Sequence, residues 1–160
     1  MHTKSLLSSF IFILSTLLAT SANALPSIIN PPGEKLILVD PRSNAWGAYD
    51  ANGELVKSGV ASTGKNWCPD MNSTCRTKPG TFRIYFKGDE TCYSTRFPVP
   101  NGGAPMPYCM YFHGNQALHG SYEVGRAHLS HGCVRMHVND AEWLSSEFAE
   151  VGTLVVVRPY

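Results

Sequence analysis

The stretch Leu118 to His137 reads Leu-His-Gly-Ser-Tyr-Glu-Val-Gly-Arg-Ala-His-Leu-Ser-His-Gly-Cys-Val-Arg-Met-His and holds most of the reactive side chains of the sequence. It brings four histidines and one cysteine together among three glycines. A thiol attacks a carbonyl carbon as the thiolate, so a reactive cysteine needs a base or a positive charge beside it. Because a histidine can supply both, the stretch predicts a reactive site at Cys133.

The residues on either side of Cys133 support this interpretation. Gly132 permits a tight turn that could aim consecutive backbone N–H groups at one point, which is what an oxyanion hole requires. Arg135 follows two residues later and projects from the same side as Cys133 if the segment is extended. Its guanidinium could then hold a substrate carboxylate through two hydrogen bonds.

The rest of the chain is dominated by short strand-like runs. Strands are predicted at residues 36–40, 45–49, 55–61, 81–86, 108–112, 117–118 and 154–157. An Asn52-Gly53 pair joins the second and third of these as a hairpin. One helix is predicted, with Asn139 as its N-cap, Glu142 as the capping-box partner and Gly152 at its end. The fold class is therefore mainly β, a sandwich or partly closed barrel with one or two short helices.

The first residues have the layout of a secretory signal peptide. Lys4 supplies a positive charge, residues 6–19 are mostly apolar, and Ala22-Asn23-Ala24 forms a small-x-small cleavage site. The apolar run is shorter than the roughly 20 residues that a membrane-spanning helix needs. We expect a signal peptide at 1–24 that is cleaved, an extended segment at 25–35, and a single catalytic domain at 36–160.

The charge balance excludes some classes of partner. Of the 13 lysines and arginines only Lys4 precedes residue 25, and all 12 acidic residues follow it. The remainder of the chain is therefore close to neutral, which gives no electrostatic reason to expect nucleic acid or an anionic membrane as a partner.

The five cysteines divide into two groups. Four of them, Cys68, Cys75, Cys92 and Cys109, lie in a loop-rich region, whereas Cys133 stands apart. An exported chain meets an oxidising compartment where thiols pair, and an odd number leaves at least one unpaired. The pairing cannot be deduced from the sequence. We favour Cys68 with Cys75 and Cys92 with Cys109, because neighbour pairing closes short loops and leaves Cys133 free.

The pair His119-Gly120, followed by Ser130-His131-Gly132-Cys133-Val134-Arg135, resembles the signature of the L,D-transpeptidase catalytic domain, the YkuD family. The resemblance spans about 36–158, because further features occur in the order expected of that domain. These are the strand ending at Asp40, the turn at Gly53, Ser62-Thr63-Gly64, Thr77-x-Pro79-Gly80, Met106-Pro107-Tyr108 and the ending around Gly152-Thr153.

The resemblance implies a role for each residue of the signature. Cys133 would be the acyl-accepting nucleophile and His119 the general base that later acts as an acid. The backbone carbonyl of Gly120 would orient the His119 ring, as the carboxylate does in a Ser-His-Asp triad. No cofactor and no metal is expected.

The same resemblance assigns supporting roles around the nucleophile. Backbone N–H groups of His131, Gly132 and Cys133 would form the oxyanion hole. Ser130 would support the site, and Arg135 would hold a substrate carboxylate. The four loop cysteines are not part of the general family pattern, so we expect the loops between 64 and 109 to narrow the specificity.

The implied activity is acyl transfer on peptidoglycan stem peptides, in the biogenesis of the cell wall and of cell shape. A thioester on Cys133 would carry the acyl group from a diaminopimelate–D-Ala tetrapeptide to an amine, in the bacterial periplasm or cell wall. A wall-attached protein is one candidate acceptor. With water as the acceptor, the same residues would act as an L,D-carboxypeptidase.

Two other classes of function remain open. A zinc-binding hydrolase could use His128, His131, Cys133 and His137 as ligands, although their spacing matches no common zinc motif. A non-catalytic wall-binding protein could use the same fold. The presence of both His119 and Cys133 argues against that second alternative, because a degenerate member is expected to lose one of them.

Overall fold

The computed structural model describes residues 25–160, so the predicted signal peptide at 1–24 lies outside the described residues. A five-stranded sheet has the strand order β3-β2-β1-β9-β4. Its strands are β1 Leu36–Asp40, β2 Ala45–Tyr49, β3 Leu55–Val60, β4 Gly80–Arg83 and β9 Leu154–Val157. All of its pairs are antiparallel except β1 with β9, which is parallel.

A second, four-stranded sheet has the order β5-β6-β7-β8. Its strands are β5 Phe86–Lys87, β6 Met110–His113, β7 Gln116–Gly120 and β8 Val134–Met136. The pair β7 with β8 is parallel and the other pairs are antiparallel. The predicted mainly β class is confirmed. Neither sheet closes on itself, so the architecture is two open sheets rather than a barrel.

One core is shared by the two sheets and a helical segment at residues 138–148. Successive side chains of a strand point to opposite faces, so alternate residues such as Ile37 and Val39 enter this core. Leu36 and Leu38 lie on the other face of β1, in a second buried cluster with Tyr49. The core includes Ile37, Val39, Trp46, Met110, Leu118, Val134, Met136, Leu144, Phe148 and Val155, each at most 6% exposed. Burial of such aliphatic and aromatic side chains is the main force that holds the sheets together.

The predicted strand at 81–86 is divided between the two sheets. Its first part belongs to β4, which pairs with β9, and its last residue begins β5, which pairs with β6. Ile84 is buried at the crossing point, whereas Tyr85 is half exposed. The alternating pattern continues through the crossing, so the sequence showed no interruption there.

The predicted N-cap at Asn139 is wrong. Helix α1 spans Val138–Trp143, with His137 at the N-cap position and no side-chain capping bond. The His137 carbonyl accepts hydrogen bonds from the N–H groups of Asp140 and Ala141. The chain thus enters α1 directly from β8, and a π-helical turn at Leu144–Phe148 follows. Gly152 lies beyond this helical segment, in the turn that leads into β9.

The N-terminal residues that are described lie along the β2–β3 hairpin. The Ile29 N–H donates to the Gly53 carbonyl at 2.9 Å, and the Leu55 N–H donates to the Ser27 carbonyl at 2.9 Å. Among residues 25–160, no helix combines the length and the apolar character needed to cross a membrane.

One disulfide lies in the connection from β3 to β4, and the other lies in the connection from β5 to β6. Cys68 is bonded to Cys75 and Cys92 to Cys109, which is the expected neighbour pairing, and Cys133 is free. The first loop contains a 3-10 turn at Pro69–Met71 that the sequence did not reveal.

The helical segment should contribute strongly to stability through Leu144, which is fully buried in the shared core. Leu144→Ala should lower the free energy of unfolding by about 2–5 kcal/mol, because it removes buried methyl groups and leaves a cavity. Urea unfolding monitored by circular dichroism measures this loss. Val151→Ala, at a side chain that is 64% exposed, is the control and should change stability by less than about 0.5 kcal/mol. Equal losses in the two variants would contradict this account of the core.

Candidate active site

The parallel pairing of β7 with β8 brings the two ends of the motif together. In its register Leu118 lies opposite Val134, and His119 lies opposite Arg135. Leu118 and Val134 belong to the shared core. Since side chains alternate along a strand, His119 and Arg135 project from the other face, and Cys133 projects with Arg135.

A cavity of about 600 Å³ opens on that face. His119, Cys133 and Arg135 all line it. Part of its wall is formed by Met71 from the first disulfide loop and by Phe97 from the second disulfide loop. Its volume falls in the range of pockets that enclose small ligands or a few residues of a peptide.

His119 is held as a neutral imidazole. Its side chain is buried, and Nδ1 donates a hydrogen bond to the Gly120 carbonyl at 2.8 Å. Nε2 therefore carries the free lone pair and can accept a proton. Burial lowers the pKa of His119 to about 4, the Gly120 carbonyl opposes this, and the positive charge of Arg135 adds to it.

Cys133 lies half-buried at the side of the same cavity. Its side chain packs against the small cluster of Met106, Cys109 and Ala117, and its Sγ lies 3.7 Å from the Asn115 carbonyl oxygen. Burial raises the pKa of the Cys133 thiol, while the backbone hydrogen bond from Ala117 and the charge of Arg135 reduce this effect. The resting pair is consequently a neutral thiol and a neutral imidazole, so the thiolate must form as its proton is transferred.

The turn at 130–133 is fastened by the Ser130 side chain. Its hydroxyl donates to the Cys133 carbonyl at 2.5 Å and accepts from the Gly132 N–H at 3.0 Å. Gly132 has a φ of 122°, in the region that favours glycine. The structure thus differs from the expectation for the oxyanion hole, because the Gly132 N–H is already occupied. Within residues 25–160, the N–H groups of His131 and Cys133 donate to no protein acceptor.

The strand-like segment 62–65 supports the turn from its other side. Ser62 and Arg135 exchange two backbone hydrogen bonds of 2.9 and 2.8 Å, and Lys65 donates to the Ser130 carbonyl at 2.9 Å. Gly64 in turn lets this segment pass close to the first disulfide loop, since a Cβ there would lie 1.9 Å from the Cys75 carbonyl oxygen. The Ser62-Thr63-Gly64 stretch therefore stabilises the backbone of the turn at 130–133.

Arg135 faces the cavity with a neighbour that can be displaced. Its Nη1 lies 3.1 Å from Oε2 of Glu123, whose side chain is 81% exposed, whereas that of Arg135 is 22% exposed. An ion pair with so exposed a partner contributes little free energy. A carboxylate on a bound ligand could replace Glu123 at small cost.

The model of the YkuD family, described as the L,D-transpeptidase catalytic domain, matches residues 34–157. This chain belongs to the YkuD family. No curated protein sequence matches it.

Solved L,D-transpeptidases share the fold of this YkuD domain. The enzyme from Xylanimonas cellulosilytica is 28% identical with a TM-score of 0.67, and the alignment covers 78% of this chain and 60% of that one. The one from Stackebrandtia nassauensis is 24% identical with a TM-score of 0.65, covering 82% and 60%. L,D-transpeptidase 3 from Mycobacterium tuberculosis, in complex with a faropenem-derived adduct, is 19% identical with a TM-score of 0.61, covering 78% and 60%. The present chain thus spans about 60% of the length of these structures.

Two residues of this YkuD domain that the sequence analysis missed contact His131. Nε2 of His131 lies 2.8 Å from Oδ2 of Asp70, and the His131 ring stacks on Phe97 with 4.4 Å between centroids. Asp70 and Phe97 are 61 and 34 residues away along the chain, in the two disulfide loops. Loop residues follow no periodic pattern from which such contacts could be predicted. The cysteine spacing was the one sequence signal that drew attention to these loops.

The four residues of the zinc alternative do not come together. His128 bonds to Thr63 Oγ1 at 2.8 Å, His131 bonds to Asp70, and His137 starts helix α1. Within the described residues, a single group has metal-ligand atoms within 4.8 Å of one another, formed by Cys68, Asp70 and His131. Because Cys68 is in a disulfide, this group lacks a thiolate, and the structure disfavours the zinc hypothesis.

The lowered pKa of His119 should make folding stability depend on pH. The imidazole has a pKa near 6.5 when unfolded and about 4 when folded, so the unfolded chain binds more protons between these values. The contribution of neutral His119 to the free energy of unfolding is thus fully present above pH 6.5. It decreases by up to about 3 kcal/mol as the pH falls to 4. Urea unfolding at several pH values, compared with His119→Gln, isolates this contribution. Identical pH profiles of the two proteins would contradict a buried, neutral His119.

Proposed function

We propose that this chain is a peptidoglycan L,D-transpeptidase that uses Cys133 as its nucleophile and His119 as its general base. The observation that carries the proposal is the parallel β7–β8 register, which places both side chains on one cavity-facing surface of a YkuD domain. Nucleophile, base and a carbonyl that orients the base are the three parts that acyl transfer by a thiol requires.

The first half-reaction would cleave the stem tetrapeptide. Sγ of Cys133 attacks the carbonyl carbon that joins diaminopimelate at position three to D-Ala at position four, and its proton passes to Nε2 of His119. The N–H groups of His131 and Cys133 receive the developing oxyanion. The C–N bond then breaks, His119 returns the proton to the departing D-Ala amine, and a thioester remains on Cys133.

The second half-reaction would transfer the acyl group from the thioester. An amine attacks the thioester carbonyl and loses a proton to Nε2 of His119. The C–S bond then breaks, and His119 passes this proton to Sγ, which regenerates the Cys133 thiol. The amine could come from a second diaminopimelate or from the lysine of a wall-attached protein. With water in its place the enzyme would be an L,D-carboxypeptidase, and the ratio of cross-linked to hydrolysed product distinguishes the two activities.

We also propose that the enzyme acts in the bacterial periplasm or cell wall, where it would help to determine cell shape. The features at Lys4, residues 6–19 and Ala22-Asn23-Ala24 support export and cleavage of residues 1–24. Residues 36–160 would then form the catalytic domain, preceded by the segment 25–35. The two disulfides are consistent with folding in an oxidising compartment.

Removal of the nucleophile should abolish the activity. With purified tetrapeptide muropeptides, Cys133→Ala should release D-Ala at least about 1,000-fold more slowly than the wild type. Intact mass spectrometry should show a covalent adduct of a carbapenem on the wild type and none on Cys133→Ala. His119→Gln should also be severely impaired, whereas His137→Gln, a histidine at the start of α1, serves as the matched control. D-Ala release that persists in Cys133→Ala would refute the proposal, and binding without turnover in the wild type would favour a wall-binding protein.

The cavity-facing guanidinium should bind a carboxylate of the stem peptide. Arg135→Gln should raise KM for the tetrapeptide by roughly 10- to 100-fold, the usual cost of losing hydrogen bonds to a charged group. Glu123→Gln removes the competing partner of Arg135 and should leave KM unchanged or lower it. Steady-state kinetics of D-Ala release measures both variants. An unchanged KM in Arg135→Gln would show that Arg135 does not contact the substrate.

A further inference from the structure

The two disulfide loops converge on a single side chain, His131. The loop closed by Cys68 and Cys75 presents Asp70 from its 3-10 turn, and the Asp70 carboxylate lies 2.8 Å from Nε2 of His131. The loop closed by Cys92 and Cys109 presents Phe97, whose ring stacks on the imidazole at an interplanar angle of 26°. The imidazole is thereby held at its ring nitrogen and covered on one face.

We propose that Asp70 is a positioning residue for the oxyanion site, and that the Cys68–Cys75 disulfide acts on the reaction by holding Asp70 in place. This inference rests on the proposed function, because it concerns the N–H group of His131 next to the nucleophile. Asp70 itself touches neither the substrate nor the reacting atoms.

The backbone of His131 depends on few other contacts. The flanking residues Ser130 and Gly132 are fastened by the Ser130 hydroxyl, whereas the His131 N–H has no protein acceptor within residues 25–160. Nε2–H of His131 donates to Asp70, so the side chain anchors a residue whose backbone N–H would receive the oxyanion in the proposed reaction. Loss of this anchor would let the peptide plane that carries the His131 N–H rotate. A small misplacement of an oxyanion donor lowers the rate of the chemical step strongly.

Asp70 is in turn held by the geometry of its loop. The Cys68 N–H donates to the Ser73 carbonyl at 2.9 Å, and the Met71 N–H donates to the Cys68 carbonyl at 3.1 Å. Cys68 and Cys75 are both buried, and the Cys75 N–H is anchored by the Lys65 carbonyl at 3.3 Å. A covalent link across so short a loop removes most of the conformations in which Asp70 would point away from His131.

Substitution of Asp70 tests the positioning role. Asp70→Ala should lower kcat for D-Ala release by roughly 10- to 100-fold with KM changed by less than about twofold, because the lost alignment affects the oxyanion rather than substrate binding. Asp70→Asn keeps an oxygen acceptor for the Nε2–H and should retain most of the activity. Asp89→Ala is the matched control, since the Asp89 carboxylate bonds to Thr91 beside the second disulfide.

The role of the disulfide is tested by combining variants. The pair Cys68→Ser and Cys75→Ser should lower kcat as much as Asp70→Ala does, and should lower it little further when Asp70 is already alanine. Such non-additivity is the sign that two changes act through one contact. Independent, multiplicative losses would overturn the link between disulfide and Asp70. Thermal unfolding of each variant shows whether it is folded, and if the serine pair is not, the contrast between Asp70→Ala and Asp70→Asn decides the positioning role.

The outcomes separate this inference from the proposed function. A wild-type protein that neither releases D-Ala nor forms a carbapenem adduct would refute the proposed function. An active wild type with full kcat in Asp70→Ala would refute the positioning role alone. A loss of kcat that Asp70→Asn does not recover, or one accompanied by an equal rise in KM, would also count against it.

Discussion

The parallel register between β7 and β8 is the constraint on which the candidate site depends. It sets His119 opposite Arg135, and it leaves Cys133 at the entrance of β8 with its side chain on the same face. A slip of one residue would turn the thiol toward the core and bring Val134 to the cavity. The register is secured on both sides, by the burial of Leu118 and Val134 and by the backbone pairing of Arg135 with Ser62.

The same burial explains why both reacting groups are neutral at rest. Desolvation lowers the pKa of His119 and raises the pKa of Cys133, so neither charged form is favoured before a substrate arrives. Proton transfer and attack must then be coupled, and the Gly120 carbonyl keeps the accepting nitrogen free. In the proposed oxidising location a protonated thiol also has an advantage, because oxidation proceeds through the thiolate. The environment that delays activation therefore protects the nucleophile.

Much of the fold followed from local patterns. The strands β1 and β9, together with the β2–β3 hairpin around Gly53, were predicted because short apolar runs and turn chemistry are encoded by neighbouring residues. The division of residues 80–87 between two sheets was not predicted, because alternation is the same in either sheet. The start of α1 was also misplaced, since the exit from β8, and not a capping side chain, determines where that helix begins.

By itself the sequence determined the chemical identity of the site: a cysteine, a histidine and an arginine in a motif whose spacing is specific to one family, together with an odd count of cysteines. It determined these because reactive side chains and turn glycines are local properties. Only the tertiary structure decided which backbone N–H groups remain available, that Asp70 and Phe97 from separate loops meet at His131, and that His119 is buried. These features arise from contacts between residues far apart in the chain, whose register and burial no local pattern encodes.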